Sequence, residues 1–295
     1  KAAGFTNLSQ DHLDYHGDMA SYRAAKLRLF EALLPRGATA VLNADSAEYP
    51  VFAAAASGAG LSIDSVGENG EALHLVARDT DPNGQRLTVE AAGSRYDIHL
   101  PLAGAFQASN ALVAAGLCIA VGEDAARALA ALEHLQGARG RMQHIGTGPK
   151  GGEAFVDYAH TPDGLKTALE ALRPHARGRL IVVFGAGGDR DRAKRPLMGA
   201  VAASIADTVI VTDDNPRTED PSVIRQSILA AAPGALEIGD RREAIRTAVG
   251  VLSDGDLLVV AGKGHEQSQT IGDRVLPFDD AAEVAAALGM EPANG

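Results

Sequence analysis

The stretch Leu180-Ile-Val-Val-Phe-Gly-Ala-Gly-Gly-Asp-Arg-Asp191 joins an apolar run to a turn rich in glycine and charge. Helix-like periodicity follows over 194–205, and the same strand–turn–helix unit recurs along the second half of the chain. Strands that alternate with helices at this spacing lie parallel and are joined by right-handed crossovers. The stretch therefore predicts a doubly wound, Rossmann-like α/β domain.

A chain of 295 residues fits two domains, and we place them at 1–138 and 139–295 with a linker over 136–140. The second domain has predicted strands at 154–158, 180–184, 208–211, 236–238 and 257–261, and predicted helices at 162–172, 194–205, 222–232, 242–252 and 280–288. The first domain predicts a mixed sheet with hairpins and helices: strands ending near Phe5 and at 39–42, 73–77, 86–91 and 95–100, and helices at 19–34, 47–56, 108–121 and 123–135.

Composition narrows the classes of function. The net charge is −11, whereas a nucleic-acid partner would need a basic face. The longest apolar run, 111–121, is shorter than the roughly 20 residues that span a bilayer. Cys118, the lone cysteine, lies in that run, and so we expect a buried, inert thiol in a reducing, cytoplasmic compartment.

Four loops follow the predicted strands of the second domain, where ligands of doubly wound sheets bind. They are 157–160, 185–191, 213–217 and 262–266; all contain charged residues, and 185–191 and 262–266 are also rich in glycine. Three of them combine an Arg or Lys with an acid, as a zwitterionic ligand requires. Gly185-x-Gly187-Gly188 resembles part of a dinucleotide-binding fingerprint, but Arg190 stands in place of its third glycine.

Two positions in the first domain suggest chemistry. His12 lies in the run Asp11-His-Leu-Asp-Tyr-His16, which fits either metal ligands or a plain loop. Lys26 follows Tyr22 and precedes Leu29 on a stripe expected to face the core. It is either a snorkelling lysine with a buried stem or a desolvated, reactive amine.

Taken together, eight segments of this sequence resemble the Mur ligases, and most closely the members that add meso-diaminopimelate. They are Phe5-Thr-Asn-Leu-Ser-Gln-Asp-His-Leu-Asp-Tyr-His-Gly17, Tyr22-Arg-Ala-Ala-Lys26, Phe106-Gln-Ala-Ser-Asn110, Gly140-Arg-Met142, Val156-Asp-Tyr-Ala-His-Thr-Pro162, Gly187-Gly-Asp-Arg-Asp191, Asp214-Asn-Pro-Arg217 and Gly262-Lys-Gly-His-Glu266. The resemblance implies the C-terminal part of a central ATPase domain followed by an amino-acid-binding Rossmann-like domain. It also implies a first domain upstream of Lys1, a monomeric complete enzyme, and no nucleic-acid or membrane partner.

The activity that the resemblance implies is ATP-driven amide formation in peptidoglycan synthesis. The D-Glu carboxylate of UDP-N-acetylmuramoyl-L-Ala-D-Glu would become an acyl phosphate, which the amine of meso-diaminopimelate attacks. ATP and Mg²⁺ are the implied cofactors.

The resemblance also implies roles for individual residues. Lys26, as a carbamate, and His12 would hold magnesium. The nucleotide would contact Asn110, Arg141, Asp157 and His160. The amino-acid site would consist of Arg190, Asp214, Asn215, Pro216, Arg217, Gly262 and Glu266.

Arg217 bears on the choice of amino acid. Diaminopimelate carries an ammonium and a carboxylate at its far end, whereas lysine carries an ammonium alone. An Arg fork binds a carboxylate through two hydrogen bonds and would repel an ammonium. The alternatives are a lysine-adding Mur ligase, a folylpolyglutamate synthetase relative, or an amino-acid-binding module without catalysis, and Arg217 could instead cap a helix or pair with Glu219.

We predict that residues 1–295 alone hydrolyse no ATP. The motif Gly-x-x-x-x-Gly-Lys-Ser/Thr, whose backbone amides and lysine hold phosphates, occurs nowhere in these residues. A phosphate-release assay on the purified chain checks this, with the complete ligase as the positive control. Turnover by the chain at the rate of the complete enzyme would contradict the prediction.

Overall fold

The computed structural model describes residues 1–9, 13–81 and 84–290. The chain divides into two compact units, Lys1–Gln136 and Gly137–Gly295. No helix in the described residues is both long enough and apolar enough to cross a membrane.

Unit 1 contains a six-stranded mixed sheet in the order β1-β2-β3-β4-β5-β6. Its first four strands pair in parallel, and β4, β5 and β6 form an antiparallel meander. Its elements are β1 (Ala2–Phe5), α1 (Leu13–His16), α2 (Met19–Arg28), β2 (Thr39–Asn43), α3 (Tyr49–Gly58), β3 (Ser62–Gly67), β4 (Leu73–Asp81), β5 (Gly84–Ala91), β6 (Ser94–Leu100), α4 (Ala105–Ala120) and α5 (Ala125–Ala130).

Helix α4 packs closely on the parallel strands because small residues line the contact. A Cβ atom on Gly116 would come within 2.7 Å of Val41 Cγ1, and one on Gly4 within 2.8 Å of Val113 Cγ1. A second apolar cluster stacks the rings of Phe5 and Phe52, with centroids 3.7 Å apart. Unit 1 therefore has a core of its own.

The expectation that Lys26 faces the core is wrong, because its side chain is exposed. Asp18 does cap α2, accepting a hydrogen bond from the Ser21 amide at 2.7 Å. After Arg28, however, a π-helical turn (Leu29–Leu33) follows, and Leu34 donates to the Leu29 carbonyl five residues back. The residues that pack on the core here are Leu27, Phe30 and Leu34, at three- and four-residue steps, whereas Leu29 and Leu33 lie with Lys26 on the exposed side.

The expectation of a buried Cys118 is also wrong, because this free cysteine is exposed. The face of α4 that packs on the sheet carries Ala108, Ala111, Leu112 and Ala115. Cys118 lies four residues after Ala114, which is also exposed, and so belongs to the opposite face of the helix. The apolar run concealed this division because small residues occupy both faces.

Unit 2 is the doubly wound domain that the sequence predicts. Its elements are β7 (Gln143–Thr147), β8 (Glu153–Asp157), α6 (Pro162–Leu172), β9 (Leu180–Phe184), α7 (Lys194–Ile205), β10 (Thr208–Val211), α8 (Pro221–Leu229), β11 (Leu236–Glu237), α9 (Arg241–Gly250), β12 (Leu257–Ala261), β13 (Ser268–Ile271), β14 (Arg274–Pro277) and α10 (Asp280–Ala287). The main sheet has the order β11-β10-β9-β12-β8-β7, in which β7 alone is antiparallel.

Helices cover both faces of this sheet. Helix α7 contacts α6 and α8, whereas α9 contacts α10 and packs on the strand residues of the other face. Strands β9 and β12 are buried along their whole length, as their unbroken apolar sequences require. Because β12 lies between β8 and β9, the chain reverses direction across the sheet at this point, which is where doubly wound folds form ligand sites.

Arg241 and Asp280 form an ion pair whose two side chains are fully buried. Nε and Nη2 of Arg241 donate to the two carboxylate oxygens at 2.8 and 2.7 Å. The same guanidinium also donates to the carbonyls of Ala261, at 2.9 Å, and Asp213, at 3.4 Å. The pair therefore joins the first turns of α9 and α10 to the ends of β12 and β10.

We predict that Asp280→Asn lowers the free energy of unfolding by about 3–5 kcal/mol, because it leaves the Arg241 cation buried without its counter-charge. The matched control is Glu283→Gln, which breaks the neighbouring pair with the half-exposed Arg242. That pair should contribute about 0–1 kcal/mol. Urea denaturation of both variants checks the difference, and equal losses would contradict it.

Candidate functional site

Four loops of unit 2 leave the sheet at the carboxyl ends of β8, β9, β10 and β12. Since these strands are neighbours in the order β10-β9-β12-β8, their loops lie side by side. Each loop carries residues that the sequence analysis selected. Their contacts define the candidate site.

The loops after β9 and β10 are held together through their backbones. The Gly188 amide donates to the Asn215 carbonyl at 2.9 Å. A Cβ atom on Gly188 would lie 1.9 Å from the Pro216 carbonyl oxygen, so that a glycine is required there. This contact gives the segment Asp214–Arg217 a fixed position relative to Gly187 and Gly188.

Arg217 is fixed at its backbone and at one nitrogen of its side chain. Its amide donates to the Thr270 carbonyl at 3.1 Å, and its own carbonyl accepts from the Gly272 amide at 2.7 Å. Nη1 donates to the carbonyls of Gly188, at 2.7 Å, and Asn215, at 3.5 Å. Both side-chain hydrogen bonds are donated by Nη1. Nη2 and Nε of Arg217 therefore donate no hydrogen bond to the described residues.

Asn215, Lys263 and Glu266 form a polar cluster beside Arg217. The Asn215 amide donates through Nδ2 to Glu266 Oε2 at 2.9 Å. Its Oδ1 accepts from Lys263 Nζ and from the Thr270 amide, each at 2.9 Å. Lys263 Nζ also lies 3.3 Å from Glu266 Oε2.

Asp214 and Gly262 approach one another closely between the ends of β10 and β12. A Cβ atom on Gly262 would come within 2.6 Å of Asp214 Oδ2, and the φ angle of this glycine is +117°. Asp214 is buried, and its carbonyl accepts from Gln269 Nε2 at 2.8 Å. Gly262 is therefore needed for its missing side chain and for its backbone conformation.

Glu219 does not pair with Arg217, which removes that alternative. It accepts two hydrogen bonds from Arg195, of which the shorter is 2.8 Å, and it lies 3.1 Å from Arg192. The Arg195 hydrogen bond lowers the pKa of Glu219 to about 2, against the effect of burial. Sequence reasoning missed Arg195, which is buried and also donates to the Gly187 carbonyl at 3.3 Å.

Asp157, Arg141 and His160 surround Tyr158 at the end of β8. Asp157 accepts hydrogen bonds from the amides of Met142 and Ala159 at 2.6 and 2.8 Å. Burial raises the pKa of Asp157, although these two bonds and Arg141 oppose the change. The exposed Arg141 guanidinium lies 4.4 Å from the centre of the Tyr158 ring, and the His160 ring packs against the same tyrosine.

The remaining predicted residues are Arg190, on one of the four loops, and three residues of unit 1. Arg190 is exposed on the loop after β9. In unit 1, Asn110 is exposed on α4, and Lys26 lies on α2 with Nζ 5.3 Å from the Tyr22 ring centre. His12 falls outside the described residues. Within those residues, no three His, Cys, Asp or Glu side chains come together as a metal site would require.

Two protein-family models match most of this chain. The Mur ligase middle domain matches residues 1–118, and the Mur ligase, glutamate ligase domain matches residues 140–264. The chain belongs to the Mur ligase family. The predicted fold, an α/β fold with a mixed sheet in a Mur ligase middle domain and a Rossmann-like C-terminal domain, is confirmed.

Relatives of this Mur ligase chain include two proteins named UDP-N-acetylmuramoyl-L-alanyl-D-glutamate--2,6-diaminopimelate ligase. The protein from Caulobacter vibrioides is 68% identical, and that from Mesorhizobium japonicum is 57% identical. Each alignment covers 97% of this chain and 59% of the relative. The chain thus spans about three fifths of the length of these relatives.

Two solved structures resemble this chain. A structure of a UDP-N-acetylmuramoyl-L-alanyl-D-glutamate--2,6-diaminopimelate ligase is 37% identical, with a TM-score of 0.64 over 98% of this chain and 60% of that one. The Mycobacterium tuberculosis folylpolyglutamate synthase complexed with ADP has a TM-score of 0.73 at 22% identity, covering 99% of this chain and 64% of that one. The second likeness shows a shared fold alone.

We predict that Glu219→Gln destabilises this Mur ligase chain by about 2 kcal/mol at pH 7, the range of a hydrogen bond to a charged group. Because folding lowers the pKa of Glu219 from 4.5 to about 2, its contribution is present above pH 4.5 and is lost as the pH falls towards 2. Urea denaturation at pH 7, 4 and 3 measures this. The control is Glu170→Gln, on an exposed pair with Lys166; a Glu219→Gln loss that is independent of pH would contradict the assignment.

Proposed function

We propose that these residues form the rear part of an ATP-dependent ligase that adds meso-diaminopimelate to the D-Glu carboxylate of UDP-N-acetylmuramoyl-L-Ala-D-Glu. The names of the two relatives support this substrate pair, and their identity extends over nearly all of the chain. The observation that carries the proposal is the Arg217 guanidinium, held through Nη1 beside an Asn–Glu–Lys cluster. A guanidinium that is fixed at Nη1 has its other nitrogens available to donate hydrogen bonds to the terminal carboxylate of diaminopimelate.

The reaction proposed for the complete ligase is amide formation through an acyl phosphate. ATP phosphorylates the D-Glu carboxylate, the diaminopimelate amine attacks the acyl carbon, and phosphate leaves. In unit 2 we assign Arg141, Asp157 and His160 to the nucleotide, and in unit 1 Asn110 to the adenine. Arg141 offers the cationic charge that phosphate oxygens require, and Asp157 is fixed by two backbone amides.

Magnesium belongs to the proposal only as a cofactor of the family. His12 lies outside the described residues, Lys26 is exposed, and the described residues contain no group of three His, Cys, Asp or Glu side chains that could hold a metal ion. We therefore derive no step through a metal ion. The carbamate proposed at Lys26 rests on the segment Tyr22-Arg-Ala-Ala-Lys26 and not on burial.

The proposed amino-acid site combines both signs of charge. Arg217 and Arg190 face the ligand's carboxylates, and Asp214 and Glu266 face its ammonium groups. Gly262 and Pro216 shape the backbone around them. Asn215 donates to Glu266 and so fixes the carboxylate that receives an ammonium. Each carboxylate and each ammonium of a zwitterionic ligand would therefore have an oppositely charged side chain to bind.

Lysine is the second candidate substrate, and Arg217 disfavours it. At its far end lysine has an ammonium but lacks the carboxylate that diaminopimelate carries on the same carbon. The lysine ammonium would be repelled by the Arg217 guanidinium, whose charge is not neutralised because its described partners are neutral carbonyls. A folylpolyglutamate synthetase shares the fold at 22% identity, which does not extend to the substrate. A non-catalytic binding module would share the amino-acid site but not turnover.

Arg217→Ala in the complete ligase should lower kcat/KM for meso-diaminopimelate by roughly ten- to a hundredfold, since a hydrogen bond to a charged group contributes about 1.5–3 kcal/mol. Turnover of L-lysine should stay equal or rise slightly, because a repulsive charge is removed. Arg217→Lys should restore activity only in part, since an ammonium keeps the charge but not the fork.

The control is Arg177→Ala, at an exposed guanidinium of the same unit paired with Asp254. It should leave both substrates unchanged. Thermal melting of every variant separates loss of fold from loss of recognition. An equal decrease for diaminopimelate and lysine in Arg217→Ala would refute the proposed selectivity.

A further inference from the structure

Lys263 follows Gly262 in the loop at the carboxyl end of β12. An exposed lysine at this position would be expected to bind an anionic group of a ligand. Its side chain is instead 0% exposed. A ligand in the site could not touch its ammonium without displacing protein atoms. The cation therefore acts on neighbouring side chains rather than on the ligand.

The partners of Lys263 are two residues of the proposed amino-acid site. Nζ donates to Asn215 Oδ1 at 2.9 Å and lies 3.3 Å from Glu266 Oε2. The Thr270 amide donates to the same Asn215 oxygen. Rotation of the Asn215 amide by half a turn would place its NH₂ group against two donors and remove its bond to Glu266.

Glu266 extends from this buried cluster to the surface. Its side chain is 35% exposed, whereas its Oε2 accepts from Asn215 and Lys263 inside. The carboxylate is therefore anchored by one oxygen, and its Oε1 accepts no hydrogen bond from the described residues. Without a cation beneath it, the same carboxylate would have one neutral donor to hold it.

The backbone on each side of Lys263 allows its inward direction. Gly262 has a φ of +117° and Gly264 a φ of +55°, conformations that favour glycine. A Cβ atom on Gly264 would lie 2.7 Å from Tyr158 Cβ. The loop is thus built around a buried lysine, whose desolvation is offset by the charge and the dipole that it contacts.

We propose that Lys263 is a positioning residue for amino-acid recognition: its buried ammonium holds the Asn215 amide in one orientation and anchors the Glu266 carboxylate at the site. It does so without contacting the ligand. This inference rests on the proposed function, because it names the residues that prepare the site for a ligand ammonium. It adds a buried cation to the groups of the proposed recognition site.

The first test needs no ligand. In Lys263→Met, hydrogen exchange at the Thr270 backbone amide and the Asn215 side-chain amide should become at least tenfold faster. The reason is that the Asn215 side chain, which accepts from Thr270 and donates to Glu266, is no longer held in one orientation. Lys166→Met, at an exposed lysine of α6, is the matched control and should change neither rate. Unchanged exchange in Lys263→Met, with the fold retained, would overturn the inference.

The second test is the affinity of the 295-residue chain for meso-diaminopimelate, measured by titration calorimetry. Lys263→Met should bind at least tenfold more weakly, and Lys263→Gln, which keeps a donor without the charge, should fall between it and the wild type. In an Asn215→Ala background the Lys263→Met effect should shrink, since the residue acts through Asn215. The same loss in both backgrounds would show a general structural effect and overturn the positioning role.

The outcomes separate the two proposals. If the wild type binds meso-diaminopimelate and a folded Lys263→Met variant binds it equally well, the role of Lys263 is refuted and the proposed function stands. Absence of binding by the wild type would refute the proposed amino-acid site, and the role of Lys263 in recognition with it. If Lys263→Met does not fold, Lys263→Gln and its exchange rates decide the question.

Discussion

The buried pair of Arg241 and Asp280 is the interaction on which the rest of unit 2 depends. A guanidinium with no exposure is stable only where its donors are matched, and here two go to the carboxylate and others to the carbonyls of Ala261 and Asp213. Those carbonyls immediately precede the loops that begin at Gly262 and Asp214. The pair therefore fixes where both loops leave the sheet, and it connects the last helix of the chain to the site.

Beyond these starting points, the loops position one another mainly through backbone contacts. Gly188 donates to Asn215 and leaves no room for a Cβ atom against Pro216, while Gly262 leaves none against Asp214. Such contacts tolerate little displacement, since a side chain at Gly188 would force backbone atoms apart and one at Gly262 would displace the Asp214 carboxylate. The charged groups are consequently arranged before a ligand arrives, and less conformational entropy is lost on binding.

The sequence predicted this arrangement unevenly, for identifiable reasons. Strands β9 and β12 and their loops were predictable because five apolar residues end at a glycine-rich turn in each case. The short, polar β3, β7 and β13–β14 were missed, since their stability comes from pairing partners rather than from their own composition. The burial of Lys263 and the exposure of Lys26 depend on tertiary contacts, which periodicity alone does not reveal.

The hairpin β13–β14, which the sequence did not predict, bears directly on the candidate site because it holds Arg217. Arg217 has a φ of +52°, a conformation that is uncommon for a residue other than glycine and costs of order 1–3 kcal/mol. The backbone of β13 and the turn after it compensates by bonding to Arg217 on both sides, through Thr270 and Gly272. A relaxed Arg217 would turn its guanidinium away from Gly188. The strain and the hairpin that offsets it therefore act together to orient the Arg217 guanidinium. The proposed selectivity for a carboxylate over an ammonium depends on this orientation as well as on the presence of an arginine.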